Sequence, residues 1–145
     1  MTNTARSDVA RLLPAVYAIF AIAATGRSAV QLATRGGHAP VPYGLSAVAG
    51  VVYIGGFVAL WRAPASESAQ RLANALCLFE LFGVVAVGLF SILFSTDLPD
   101  DTVWSRFGSG YGYIPLALPL AALWWLRAAD RRAEACQHST PIGPV

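Results

Sequence analysis

A single carboxylate set inside the longest apolar run constrains this chain more than any other feature. From Leu72 to Phe94 the sequence reads LANALCLFELFGVVAVGLFSILF, and Glu80 is its one charge. About 23 residues at 1.5 Å each cover the roughly 30 Å hydrocarbon core of a bilayer, so the run predicts a membrane-spanning helix. An acid at that depth costs on the order of 2.5 to 3.5 kcal/mol on insertion scales, and must therefore face other helices and meet a donor. Glu80 thus decides which face of its helix turns inward.

Three further apolar stretches accompany it. Residues 12–32, LLPAVYAIFAIAATGRSAVQL, carry one charge, Arg27, and Pro14 falls where a first helical turn tolerates it. A rival reading of this end is a signal peptide, with a basic lead, apolar Leu12 to Ala24 and small residues at Ala21 and Ala23. The helical pattern running on through Gln31 argues for a span instead. Residues 43–61 are uncharged, and their Ser46 with Gly50 and Gly55 with Ala59 lie four apart. That spacing lays small side chains on one stripe, where a neighbouring backbone can come close. Residues 111–126 make a short fourth span with Pro119 inside it, which predicts a kink. Tyr111 and Tyr113 at one end and Trp124 and Trp125 at the other are placed to form interfacial aromatic belts.

The connections carry the breakers and charges. GGHAPVP, residues 36–42, cannot extend a helix with two glycines and two prolines, and residues 62–71 form a polar link bounded by Arg62 and Arg71. After Phe94 comes STDLPDDTVWSRFGSG, in which Pro99, Asp100 and Asp101 resemble a helix start. Val103, Trp104 and Phe107 would then share the apolar face of a short helix lying on the membrane surface. The last residues, 127–145, form a basic tail that becomes rich in proline and glycine.

The expected fold class is therefore all-α: a polytopic membrane protein, one domain of 145 residues, a bundle of four transmembrane helices. Composition agrees, with 56% hydrophobic and only 12% charged residues against the usual quarter or so charged. All ten basic residues are arginine. Seven of them (Arg6, Arg11, Arg62, Arg71, Arg127, Arg131, Arg132) would lie on one side of four spans, against Arg35 and Arg106 on the other. The positive-inside rule makes the arginine-rich side cytoplasmic, so both termini and the tail are expected inside, in the plasma membrane.

A net charge of +2 and scattered arginines argue against a nucleic-acid partner. The expected surroundings are the lipid bilayer, with other membrane proteins or further copies of the chain as partners. Cys77 in a span and Cys136 in the tail do not form a plausible disulfide, and no cofactor is expected. The charged pair inside the spans is the first candidate site. Arg27 and Glu80 lie at depths that allow them to meet, with Gln31 and Thr34 continuing a polar stripe beside Arg27, so helix one is expected against helix three. Such a pair serves either as a structural clamp or as part of a transport path.

The string FGSGYGYIP is the second candidate, a functional loop at Gly108, Gly110, Tyr111 and Gly112. It lacks the Lys-Ser/Thr of a Walker loop and the spacing of a dinucleotide fingerprint. Gly110-Tyr111-Gly112 resembles the end of a potassium-channel filter, though Gly108-Ser109 stands where Thr-Val belongs. Asp97, Asp100 and Asp101 offer too few oxygens for a hard cation, and His38 and His138 fall on opposite sides of the membrane, so no metal site is expected. No nucleophile, base and orienter occur together. Asp100, Asp101 and His38 are the only outer groups a lipid-directed enzyme could use, so a non-enzyme is expected.

The blocks ATGRSAVQLATRGGHAPVPYGLSAVAGVVYI and DDTVWSRFGSGYGYIPLALPLAALWWLR resemble small four-span membrane proteins of high-GC actinobacteria. The resemblance spans most of 12–127 and brings a fold but no site residues. In size the chain is also similar to small multidrug-resistance transporters, whose buried glutamate lies on the first helix, whereas here it lies on the third. Two functions are carried forward: a non-catalytic subunit or partner in a membrane assembly, and a small oligomeric transporter or channel using Glu80 and Arg27.

Overall fold

The computed structural model describes residues 3–35, 40–94 and 102–138. Among them are four long helices: α1 (Asn3–Arg35), α2 (Pro40–Arg62), α3 (Glu67–Leu93) and α4 (Ile114–His138), with no strand. Three stretches, Asp8–Gln31 of α1, Gly44–Ala65 of α2 and the turn that follows it, and Glu67–Leu93 of α3, are long and apolar enough to cross a membrane. Much of their outer surface is as apolar as their core. Ile22 is 74% exposed, Val51 70% and Phe82 71%, a pattern that suits lipid rather than water. These three helices point to a membrane protein.

The helices overrun the expected spans at several ends. α1 begins at Asn3, which places Pro14 well inside the helix rather than in its first turn. α2 starts at Pro40, because a proline at the opening of a helix loses no intrahelical hydrogen bond. The link after α2 is short: Ala63–Ala65 make a single 3-10 turn, and Ser66 then caps α3 by accepting from the Ala69 amide at 3.4 Å. α4 begins at Ile114 and continues as helix through the expected tail to His138, with Pro119 buried inside it. Arg127, Asp130 and Arg131 follow soon after Leu126, so the apolar part of α4 is brief.

Each helix lies against the next in the chain, and α1 runs most closely along α2. The small-residue stripe explains that closeness. Ser46, Gly50 and Ala59 are buried, and a Cβ added at Gly50 would come within 3.1 Å of Thr25 Oγ1. Gly55 turns the other way and is half-buried against Leu76 of α3. Side chains from all four helices fill the middle, including Tyr17, Tyr53, Cys77, Val84, Leu118 and Ala122.

The segment between α3 and α4 differs most from its sequence reading. Val103 and Trp104 are 1% and 2% exposed, so they belong to the core and do not form the exposed apolar face of a surface helix. Residues Ser105–Tyr111 form a tight 3-10 stretch in which Arg106, Phe107 and Gly108 take left-handed backbone angles. The cause lies on α3, where Gly83, Gly88 and Ser91 open a groove. A Cβ at Gly83 would lie 2.7 Å from the Trp104 ring, and Ser91 Oγ accepts the Arg106 amide at 2.8 Å. Local bonds complete the turn: Ser105 Oγ accepts from the Thr102 amide at 2.8 Å, and Gly112 closes it with φ of 64°. The proposed helix start at Pro99, with Asp97, Asp100 and Asp101, lies outside the described residues, as does His38.

Candidate functional site

A buried polar cluster joins the three apolar helices, and Glu80 is its centre. Three residues apart on α3, Cys77 and Glu80 share one helical face and are both fully buried. Tyr17 comes to them from α1 and is 1% exposed. Its ring can enter because α2 presents Gly56, where a Cβ would lie only 2.7 Å from Tyr17 Cε1. The Tyr17 hydroxyl then donates to Glu80 Oε2 at 2.7 Å and lies 3.4 Å from Cys77 Sγ. Tyr53 supplies the α2 side, its ring 5.9 Å from that of Tyr17 and 5.5 Å from that of Phe20. Trp104 Nε1 donates to the Tyr53 hydroxyl at 3.4 Å, tying in the segment before α4.

Hydrogen bonding here answers the cost of burial. A polar group removed from water without a partner costs on the order of 1 to 3 kcal/mol, and a charged one more. Tyr17 meets one oxygen of the carboxyl. Among the described residues, Glu80 Oε1 has no hydrogen-bond partner.

The expected pairing of Arg27 with Glu80 is corrected. Arg27 Nη1 donates to the Tyr111 hydroxyl at 3.4 Å, and no ion pair joins Arg27 to Glu80 among the described residues. The donor that α1 supplies to Glu80 is Tyr17. Helix one also packs chiefly on helix two, so that only side chains of α1 reach α3. The polar stripe beside Arg27 does not act as a unit: Thr34 Oγ1 donates to the Val30 carbonyl of its own helix at 2.7 Å, and Gln31 is half-buried.

The glycine string resolves into turn and packing roles. Gly108 lies against the Pro115 ring, Gly112 carries the left-handed turn, and Gly110 faces open space. Tyr111 is half-buried: its ring meets Phe20 edge-on at 5.9 Å and its hydroxyl meets Arg27. Of the tryptophan pair, Trp124 is exposed and Trp125 buried. Among the described residues no group of three His, Cys, Asp or Glu side chains could hold a metal ion.

Sequence reasoning missed Tyr17, Tyr53 and Trp104. A signal was present: Tyr17 and Tyr53 stand inside spans, away from the interfaces where tyrosine is common, and a hydroxyl at that depth needs a partner. Compared with known proteins, the chain matches no family model, no curated protein and no solved structure.

Proposed function

We propose that this protein is a four-span subunit or interaction partner within a larger assembly of the plasma membrane, and that it catalyses no reaction of its own. In this reading α4 completes the bundle as a short span bent at Pro119, and both termini face the cytoplasm. It belongs with the small four-span proteins of actinobacteria that it resembles. The observation that carries the reading is the closure of the polar cluster: Glu80 is 0% exposed and bonded across to α1. An acid held this way fixes how three helices meet, while their outer faces stay apolar and available to lipid or to other membrane proteins.

Topology is checked by single cysteines placed at positions 38 and 66 in a Cys77→Ala, Cys136→Ala background. A membrane-impermeant thiol reagent applied to intact cells should label position 38 and leave position 66 untouched; labelling of both would break the four-span arrangement. The role is checked by gentle detergent extraction from native membranes. A distinct membrane protein recovered in fixed stoichiometry is the expected result.

A second reading, a small oligomeric transporter or channel, draws on Glu80 Oε1, the carboxylate oxygen without a hydrogen-bond partner among the described residues. It requires a homo-oligomer and ion flux in liposomes that Glu80→Gln abolishes. That pair of findings would overturn the subunit role.

A further inference from the structure

Away from the Glu80 cluster, the base of α3 and the second half of α4 enclose two adjoining clefts. One has a volume of about 300 Å³ and is walled mainly by Ala63, Pro64, Leu126 and Ala129, with Trp125. The other, about 250 Å³, is polar and lined by Glu67, Arg71 and Asn74. Gln70 and Asp130 line both, and the Gln70 amide donates to Asp130 Oδ1, so the two clefts form one depression that grades from apolar to charged. Trp125 is 9% exposed, and its indole N–H has no acceptor among the described residues. A buried donor beside an open cleft can take its partner from whatever enters that cleft.

The depth of the depression says what that partner is, and this step rests on the membrane reading above. The clefts sit where the apolar stretches Gly44–Ala65 and Glu67–Leu93 meet, which in the four-span reading is the boundary between hydrocarbon and water. Trp61 and Trp124, next to the lining residues in sequence, are 69% and 51% exposed, as interfacial tryptophans are. We propose that this depression binds a phospholipid of the adjoining leaflet through a phosphoethanolamine headgroup. Asp130, oriented by Gln70, takes the ammonium; Arg71, whose Nη2 lies 3.2 Å from Glu67 Oε2 in an exposed pair, turns its remaining N–H groups to the phosphate; the Trp125 N–H takes an ester carbonyl, and the first acyl carbons lie on Ala63, Leu126 and Ala129. A primary ammonium suits a carboxylate and an amide because it offers three hydrogen-bond donors. A choline head offers none, and a glycerol head lacks the positive charge.

Native mass spectrometry of the full chain tests this, with the protein released from detergent carrying equal parts of ethanolamine, choline and glycerol phospholipids. The ethanolamine lipid should be retained at least fivefold over either competitor. Asp130→Asn should abolish that preference, Trp125→Phe should weaken retention of all three lipids, and Asp8→Asn, an exposed change on α1, should alter nothing. Equal retention of the three lipids overturns the proposal, as does a preference that survives Asp130→Asn in a variant of unchanged helicity. Soluble glycerophosphoethanolamine should fail to displace the lipid; full displacement at equal concentration would place the ligand in the cytosol and overturn the lipid assignment. Alkaline carbonate washing of membranes separates the two readings. A chain released by the wash refutes the membrane assignment itself, while a chain retained but without headgroup preference refutes the headgroup site alone.

Discussion

Tyr17→Phe should destabilise the folded protein by about 2 kcal/mol, within the range for a buried polar group stripped of its partner. The change keeps the ring in the notch at Gly56 and removes only the hydroxyl, so packing is conserved and the effect reports the bond to Glu80. Glu80 would then lose the 2.7 Å donor at Oε2 while Oε1 already lacks a partner among the described residues. Adding Glu80→Leu to the same variant should recover most of the loss, because an apolar side chain needs no donor, and the two changes should therefore be strongly non-additive. Reversible unfolding in mixed micelles, followed by helical circular dichroism, gives both numbers. A Tyr17→Phe loss below about 0.5 kcal/mol, the level of an ordinary surface change, would mean that the hydroxyl does not hold the carboxylate.

Gly56→Leu should be worse, at about 3 kcal/mol or more, the upper end for overpacking a close-fitting site. The first added carbon would fall 2.7 Å from Tyr17 Cε1 and 2.8 Å from Cδ1, well inside contact distance. The ring has no easy retreat, because its hydroxyl is engaged with Glu80 on α3 and its other side faces Tyr53. α1 must therefore move off α2 and take Tyr17 away from the cluster. Gly26→Leu is the comparison: nothing lies within 4 Å of a Cβ there, and leucine improves helix propensity by up to about 1 kcal/mol over glycine. The same unfolding measurement should show Gly26→Leu neutral or stabilising. Equal losses at both positions would show that glycine matters for the backbone alone and that close approach of the helices is not what Gly56 provides.

Both results depend on the same division between what the amino-acid order specifies and what packing decides. Run length and the scarcity of charge, at most one charged residue in each run, specify three long apolar helices, since a continuous apolar helix has few other places to go. Glu80 facing inward follows from desolvation, and the burial of Ser46, Gly50 and Ala59 follows from side-chain volume and helical period. None of these needs knowledge of a partner. The partner of Glu80 was not legible in the same way. Charge and depth along α1 pointed to Arg27 alone, whereas the donor is Tyr17, because Gly56 lets its ring slide between α2 and α3. Val103, Trp104 and Phe107 likewise carry the spacing of a surface helix, yet Gly83 and Gly88 on α3 make room for Trp104 and Phe107 and draw the segment inside. Periodicity describes one helix at a time, whereas which two side chains meet depends on the rotation and separation of two helices, and only the assembled bundle sets those.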